Sequence, residues 1–290
     1  MNEIAYMDEL IDELRTIASF GDLSRADTDK VLDELKKINE EFIPHIVAPR
    51  YIAMLDILGF KDMLAKNKLA NVIGMYNHLE KKISLMTKWE VKHVIFSDTL
   101  VLYTEIPDPT FWSQEIVENP PIAAVHKLVE ILAEIIARVM SGAINMGLPM
   151  RCGVAYGNCY IDPLRNIYIG QPFIDAHLTE DAQDWIGVAL HPTCFHPFRE
   201  YKVEGLFRRL IHWNIPVKEK YSKTIELKWT LNWMQGVHEA IQNELKREEN
   251  KPYLHRWIEL EKLFNYVKDT IPVPVPTPKK VFGQNELYAY

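Results

Sequence analysis

The sequence predicts an α+β fold of ferredoxin-like plan, with helices covering one face of a mainly antiparallel sheet. Three observations predict it. Between residues 50 and 190, short β-rich apolar runs alternate with helical stretches. Turn signals at Ser97-Asp98 and at 163–166 fold two of those runs into hairpins. One long apolar helix, 122–146, separates the first hairpin from the next strand.

Residues 1–45 read as two helices. Ile4, Met7, Leu10, Ile11 and Leu14 recur at helical spacing and Gly21 breaks the run. Ser24 can cap a second helix with the stripe Val31, Leu32, Leu35 and Ile38. YIAMLDIL (51–58) is a nearly continuous apolar run with one acid, a buried strand entering the turn at Gly59-Phe60. A helix over roughly 68–87 precedes the hairpin VKHVIFSDTLVLYTE (91–105), with Asp98 at its tip. A proline-rich loop, 106–121, leads to the long helix. MRCGVAYG (150–157) is strand-like, CYID and IYIG flank the next turn, a helix covers about 171–184, and WIGVAL is a strand. Strand-like segments at 200–216 and 224–233, a charged helical region at 235–268 and the extended tail PVPVPTP complete the chain. The implied organisation is an N-terminal helical extension (1–45), a main domain (46–234) and a C-terminal helical extension with its tail (235–290).

Composition narrows the function. With 290 residues and 48% apolar content, the chain can bury a large core. A net charge of −7 disfavours a basic nucleic-acid surface, so no nucleic-acid partner is expected. The acidic, amphipathic amino terminus is unlike a signal peptide, and five charged or titratable residues interrupt the apolar run 122–146, so no membrane segment is expected. Three cysteines (Cys152, Cys159 and Cys194) are too few for a disulfide framework and fit a reducing, cytoplasmic compartment.

Two acids stand out. Asp56 ends an apolar strand and Asp98 sits on a hairpin tip. A carboxylate among apolar neighbours requires a cation, a hydrogen-bonding shell or a proton. If strand and hairpin are neighbours in one sheet, the two converge and can hold one or two divalent ions. The turn after Asp56, through Leu58, Gly59 and Phe60, offers backbone N–H groups suited to phosphate oxygens. Together these describe a phosphoryl- or nucleotidyl-transfer site. The plainer alternative is that Asp56 caps the next helix and Asp98 is a turn residue. His191, Cys194 and His196 match no familiar zinc spacing. Gly153 and Gly157 accompany no P-loop motif.

YIAMLDILGFKDML resembles the metal-binding strand of the class III nucleotide cyclases, and FSDTLVLY resembles their hairpin. MRCGVAYGNCYIDP is similar to their Arg-x-Gly strand, and IYIGQPFIDAHLTEDAQDWIGVA to the Gly, helix and strand that follow. The four matches keep the family's order over roughly residues 50–190. The -LGF- and FSD variants are closest to the pyrimidine cyclases of Pycsar antiphage systems. The resemblance implies that Asp56 and Asp98 hold two Mg²⁺ or Mn²⁺ ions, that the Ile57 carbonyl adds a metal ligand, and that Leu58, Gly59 and Phe60 cradle phosphates. It implies that Arg151 meets the phosphates across a homodimer with sites at the interface. Tyr51 would narrow the nucleotide pocket, which requires a twist or bulge, because strict alternation puts it opposite Asp56. His93 is more a packing residue than a base contact.

Departures from the family matter as much. The places of the two polar adenine readers hold Val94 and Ile167, so adenine should not be selected strongly, and guanine readers are missing as well. The family's catalytic Asn and Arg align with Ile174 and Leu178, leaving Arg151, Lys61, Arg165 or the metal ions to supply the charge. The expectation is a pyrimidine nucleotide cyclase that converts UTP (favoured) or CTP into the 3′,5′-cyclic nucleotide and pyrophosphate, the product switching on a separate effector in antiphage defence. The alternatives are a cyclase-like module that only binds nucleotide or dimerises, and an adenylate or guanylate cyclase with an altered base pocket.

Overall fold

The computed structural model describes residues 47–65, 91–105, 121–199, 209–234 and 236–270, with scattered helical residues between 69 and 81. The predicted N-terminal helices, the loop 106–120 and the tail lie outside the described residues, as does most of the helix expected at 68–87. The chain divides into two units, one of Ala48–Cys159 with Tyr168–Tyr290, the other of Met1–Val47 with Tyr160–Ile167. Within the second, Asp162 accepts hydrogen bonds from the backbone N–H of Arg165 (3.0 Å) and from Tyr160 Oη (3.2 Å).

The first unit is built on strand β1 (Ala48–Ile57), which pairs antiparallel with both β3 (Thr99–Thr104) and β4 (Met150–Asp162). Strand β2 (Val91–Phe96) closes the hairpin with β3, and β5 (Ile167–Gly170) lies beyond β4. The order is β2-β3-β1-β4-β5, and β6 (Gly187–Leu190) joins β4 as the parallel member. The sheet is therefore mainly antiparallel, as the hairpin signals predict. A central strand is covered on both faces, which explains why YIAMLDIL is apolar almost throughout. Tyr51, Ala53, Leu55 and Ile57 enter the main core, while Arg50, Ile52, Met54 and Asp56 alternate onto the opposite face.

Helix α1 (Phe60–Ala65) follows the turn at Gly59, whose φ of +73° suits a residue without Cβ. Helix α2 (Ile122–Asn145) supplies the core layer: Val125, Val129, Leu132, Ile136, Met140 and Ala143 recur every three or four residues and are buried against Leu100, Leu102 and their neighbours. No described helix is long and apolar enough to cross a membrane. Helix α3 (Gln171–Ala182) lies on the other face of the sheet, over β4. Gly153 makes this approach possible: a Cβ there would stand 2.1 Å from the Ala176 carbonyl oxygen and 2.5 Å from the Glu180 nitrogen.

Beyond the sheet, β7 (Leu210–His212) and β8 (Trp229–Leu231) form a two-stranded ribbon within the strand-like segments expected at 200–216 and 224–233, of which residues 200–208 lie outside the described residues. The charged region resolves into α4 (His238–Leu245) and α5 (Leu254–Thr270), separated by a 3₁₀ turn, Glu248–Tyr253, that contains Pro252. Trp257, Leu260 and Leu263 of α5 are buried in the same core as β1 and α2. All three cysteines are free thiols in the interior, in keeping with a structural role for Cys152 and Cys159.

Candidate active site

The site begins with strand register. Asp56 is paired with Thr99 on one side and Arg151 on the other. Asp98 immediately precedes Thr99 in the two-residue turn that closes β2 and β3, a turn in which Ser97 takes a φ of 56°. The register therefore brings the two acids together across a single strand boundary. Burial raises the pKa of the Asp56 carboxyl, Arg151 opposes that shift, and the nearby charge of Asp98 adds to it.

Arg151 is buried and heavily committed. Its Nη2 lies 2.6 Å from Glu180 Oε1 and 3.4 Å from Asp56 Oδ2, and its Nη1 donates to the Gln183 carbonyl at 3.1 Å. Gln183 is fixed in turn, since its Nε2 donates to the carbonyls of Cys152 (2.9 Å) and Thr179 (3.0 Å) and its Oε1 accepts from Trp185 Nε1 (2.7 Å). The resemblance places Arg151 on phosphates across a dimer; within this chain it bridges its own Asp56 and α3.

Glu180 was not singled out from the sequence. An acid in the run Thr-Glu-Asp on a helix reads as solvated, and only the approach of α3 to Gly153 buries it. Burial lifts its carboxyl to about 7; Arg151 pulls against that shift, while Asp56 and Asp181 reinforce it. Asp181 beside it behaves oppositely. Lys218 (2.5 Å), Lys220 (2.9 Å) and the Tyr221 hydroxyl (2.6 Å) surround it and hold it well below the usual carboxylate range despite partial burial. Met54, Leu55, Asp56, Thr99, Arg151, His177, Glu180 and Asp181 line one small cleft of about 180 Å³.

Other expected site residues fall elsewhere. Tyr51 is only 1% exposed, its hydroxyl donates to the Cys194 carbonyl at 2.9 Å, and its ring packs on Tyr156 at 4.6 Å. Pairing of β1 with β4 runs without interruption from Ala48 to Ile57, so no bulge turns Tyr51 toward Asp56. It is a core residue rather than a pocket wall. The Leu58 N–H donates to Pro149 O at 2.9 Å, which removes it from the phosphate cradle; Gly59 and Phe60 form the turn into α1, where Gly59 O accepts from Met63 N at 3.0 Å. The Ile57 side chain is buried, leaving its main chain as the only part that could serve an ion. Ile174 and Leu178 project outward on α3, 54% and 41% exposed.

Among the described residues, no group of three or more His, Cys, Asp or Glu side chains could hold a metal. An ion held by Asp56 and Asp98 would have to take its remaining ligands from main-chain and substrate oxygens. The destabilised charge on Asp56, pressed by Asp98, is what such an ion would relieve.

No protein-family model matches the chain, and neither does any curated protein. Among solved structures it is similar to the catalytic core of a rhodopsin-guanylyl cyclase with converted specificity in complex with ATPαS, at 11% identity over 64% of this chain and 96% of that one, with a TM-score of 0.44. Adenylate cyclases from Trypanosoma brucei in their monomeric state share 14% identity over 67% and 94%, with a TM-score of 0.42. The adenylyl cyclase CyaB from P. aeruginosa shares 13% over 64% and 95%, with a TM-score of 0.41.

Proposed function

We propose that this protein is a nucleotide cyclase acting on a pyrimidine nucleoside triphosphate, UTP ahead of CTP, to give the 3′,5′-cyclic nucleotide and pyrophosphate. The observation that carries the reading is the β1–β3 register, which pairs Asp56 with Thr99, the residue after Asp98, beside a cleft that Asp56 and Arg151 both line. Asp56 and Asp98 would hold Mg²⁺ or Mn²⁺. When bound, such ions supply Lewis acidity that favours the ribose 3′-alkoxide and neutralises charge on the phosphates. Arg151, fixed by Glu180 and Gln183, presents a cation whose position is set before substrate arrives.

Support for the pyrimidine base comes from Val94 on the sheet. Val94 pairs with Val101, which pairs with Met54, so it shares the face of the sheet that carries Asp56. An alkyl side chain there has no donor or acceptor to read a purine edge. Following the family resemblance, we place the enzyme in the cytoplasm as a homodimer with sites at the interface, its product acting on a separate effector in antiphage defence. The competing reading, a module that binds nucleotide without turnover, draws on Ile174 and Leu178, whose alkyl groups supply no transition-state charge.

Incubation of the purified protein with each of the four triphosphates and Mn²⁺, with products identified by mass spectrometry, tests the proposal. Cyclic UMP or cyclic CMP is expected, abolished in Asp56→Ala and Asp98→Ala variants whose circular dichroism is unchanged. Preferred conversion of ATP would reject the pyrimidine assignment. Binding of a non-hydrolysable triphosphate in calorimetry, with no product from any nucleotide, would decide for the non-catalytic module.

A further inference from the structure

Helix α3 is where the family resemblance calls for an amide and a guanidinium, and where this chain has Ile174 and Leu178. Neither lines the cleft. What α3 does send into the cleft is His177, Glu180 and Asp181. Glu180 is buried against Arg151, and Asp181 is clamped by Lys218, Lys220 and Tyr221, so both are occupied in holding structure together. Arg151 is held in one position, with Nη1 on Gln183 and Nη2 shared between Glu180 and Asp56, so it cannot turn to follow a ligand.

His177 differs from all of these. Its side chain is 62% exposed, and its Nδ1 stands 3.8 Å from Glu180 Oε2, too far for a hydrogen bond to fix the ring. Even so, its charge bears on Asp56, lowering the pKa of that carboxyl. The groups around it are Glu180 and Asp181 on its own helix, Asp56 from β1 and Arg151 from β4, with Lys218 and Lys220 behind Asp181. Among the described residues lining the cleft, it is the cation-forming side chain still able to turn toward a ligand.

Resting on the cyclase reading above, we propose that His177 is a catalytic residue, its ring N–H donating a hydrogen bond to the phosphate oxygens on which charge gathers during cyclisation. In that step the bond from O3′ to the α-phosphorus forms as the bond from the α-phosphorus to the bridging oxygen breaks. The electron pair leaves with pyrophosphate, and the 3′ proton passes to solvent. His177 acts as a hydrogen-bond donor only and transfers no proton. It thereby takes over, from a different position on the helix, the task that Ile174 and Leu178 cannot perform.

The test combines kinetics with a readout independent of turnover. Because the side chain is largely exposed, His177→Ala, His177→Gln and His177→Arg should fold as the wild type does. With the triphosphate that the wild type converts, kcat in His177→Ala is expected to fall about 100-fold, with KM changed no more than about threefold. His177→Arg should recover about tenfold of that loss, and His177→Gln less. In ¹⁵N-labelled wild-type protein, the His177 ring resonances should move on addition of the α,β-methylene analogue of UTP with Mg²⁺. A His177→Ala enzyme within about twofold of wild-type kcat would overturn the proposal, as would a ring insensitive to the analogue. A wild type that makes no cyclic nucleotide defeats the cyclase reading instead, and the ring resonances still decide whether His177 meets the triphosphate.

Discussion

Glu180 holds a proton that an exposed glutamate would give up. Its carboxyl rises from 4.5 to about 7 in the folded protein, so between those values the native state binds a proton that the unfolded chain has released. The associated stability is complete below about pH 4.5 and is lost as pH rises through 7, a difference of about 3 kcal/mol. Burial shifts Asp56 in the same direction. Urea unfolding followed at pH 5 and pH 8 should show the wild type weakening toward the higher pH, and Glu180→Gln should flatten much of that slope. An unaltered slope in the variant would place the effect elsewhere. Asp56 and Asp98 stand out in the sequence because one ends an apolar strand and the other sits on the tip of an apolar hairpin. Glu180 and His177 do not, because an acid and a histidine on a polar helix look solvated until the fold shows which face of α3 meets the sheet. Tyr51 lies where strict alternation puts it, opposite Asp56, and the bulge that a pocket role requires is absent from the unbroken β1–β4 register.

At the scale of elements, the contact of α3 with β4 organises the cleft. A methyl group at Gly153 would meet a backbone oxygen at 2.1 Å, and backbone cannot swing aside as a side-chain tip can. Gly153→Ala should therefore lift α3 off the sheet, costing about 3 kcal/mol in overpacking and separating Arg151 from Glu180. Gly157→Ala is the matched control, since its nearest neighbour, Pro172 Cδ, would be an ordinary contact at 3.5 Å. Comparison of urea midpoints tests the pair, and equal stability of the two variants would show that α3 accommodates the methyl group. Among the described residues up to 190, the order of strands, the hairpin at Ser97-Asp98 and the helices at 122–145 and 171–182 is readable from alternation and turn residues, the helix expected at 68–87 lying mostly outside them. The break between α4 and α5 is less readable, because a charged helical stretch conceals a 3₁₀ turn at Pro252. Of the strand-like run at 200–216, residues 200–208 lie outside the described residues; within 209–216 the strand is Leu210–His212, paired with Trp229–Leu231.

For the molecule as a whole, the C-terminal helices belong to the structural economy of the sheet. Trp257, Leu260 and Leu263 share a core with Leu55 and Ile136, far away in sequence. Trp257→Ala should cost about 3–5 kcal/mol, and a chain ending before Leu254 should lose cooperative thermal unfolding; calorimetry of both reports this directly. If the truncated chain kept the wild-type melting temperature, α5 would be a passenger. Local pattern marked this segment as charged and helical but could not reveal which hydrophobic surface its apolar stripe would meet.

The interior placement of Cys152, Cys159 and Cys194 has a practical side. Burial pushes all three thiols up, away from the reactive thiolate form. The native protein should thus be silent toward maleimides and nitroxide reagents, and a single cysteine introduced at exposed Leu178 would be the only handle they find. Pulsed dipolar spectroscopy on that labelled protein would report whether copies associate in solution without rebuilding the rest of the surface.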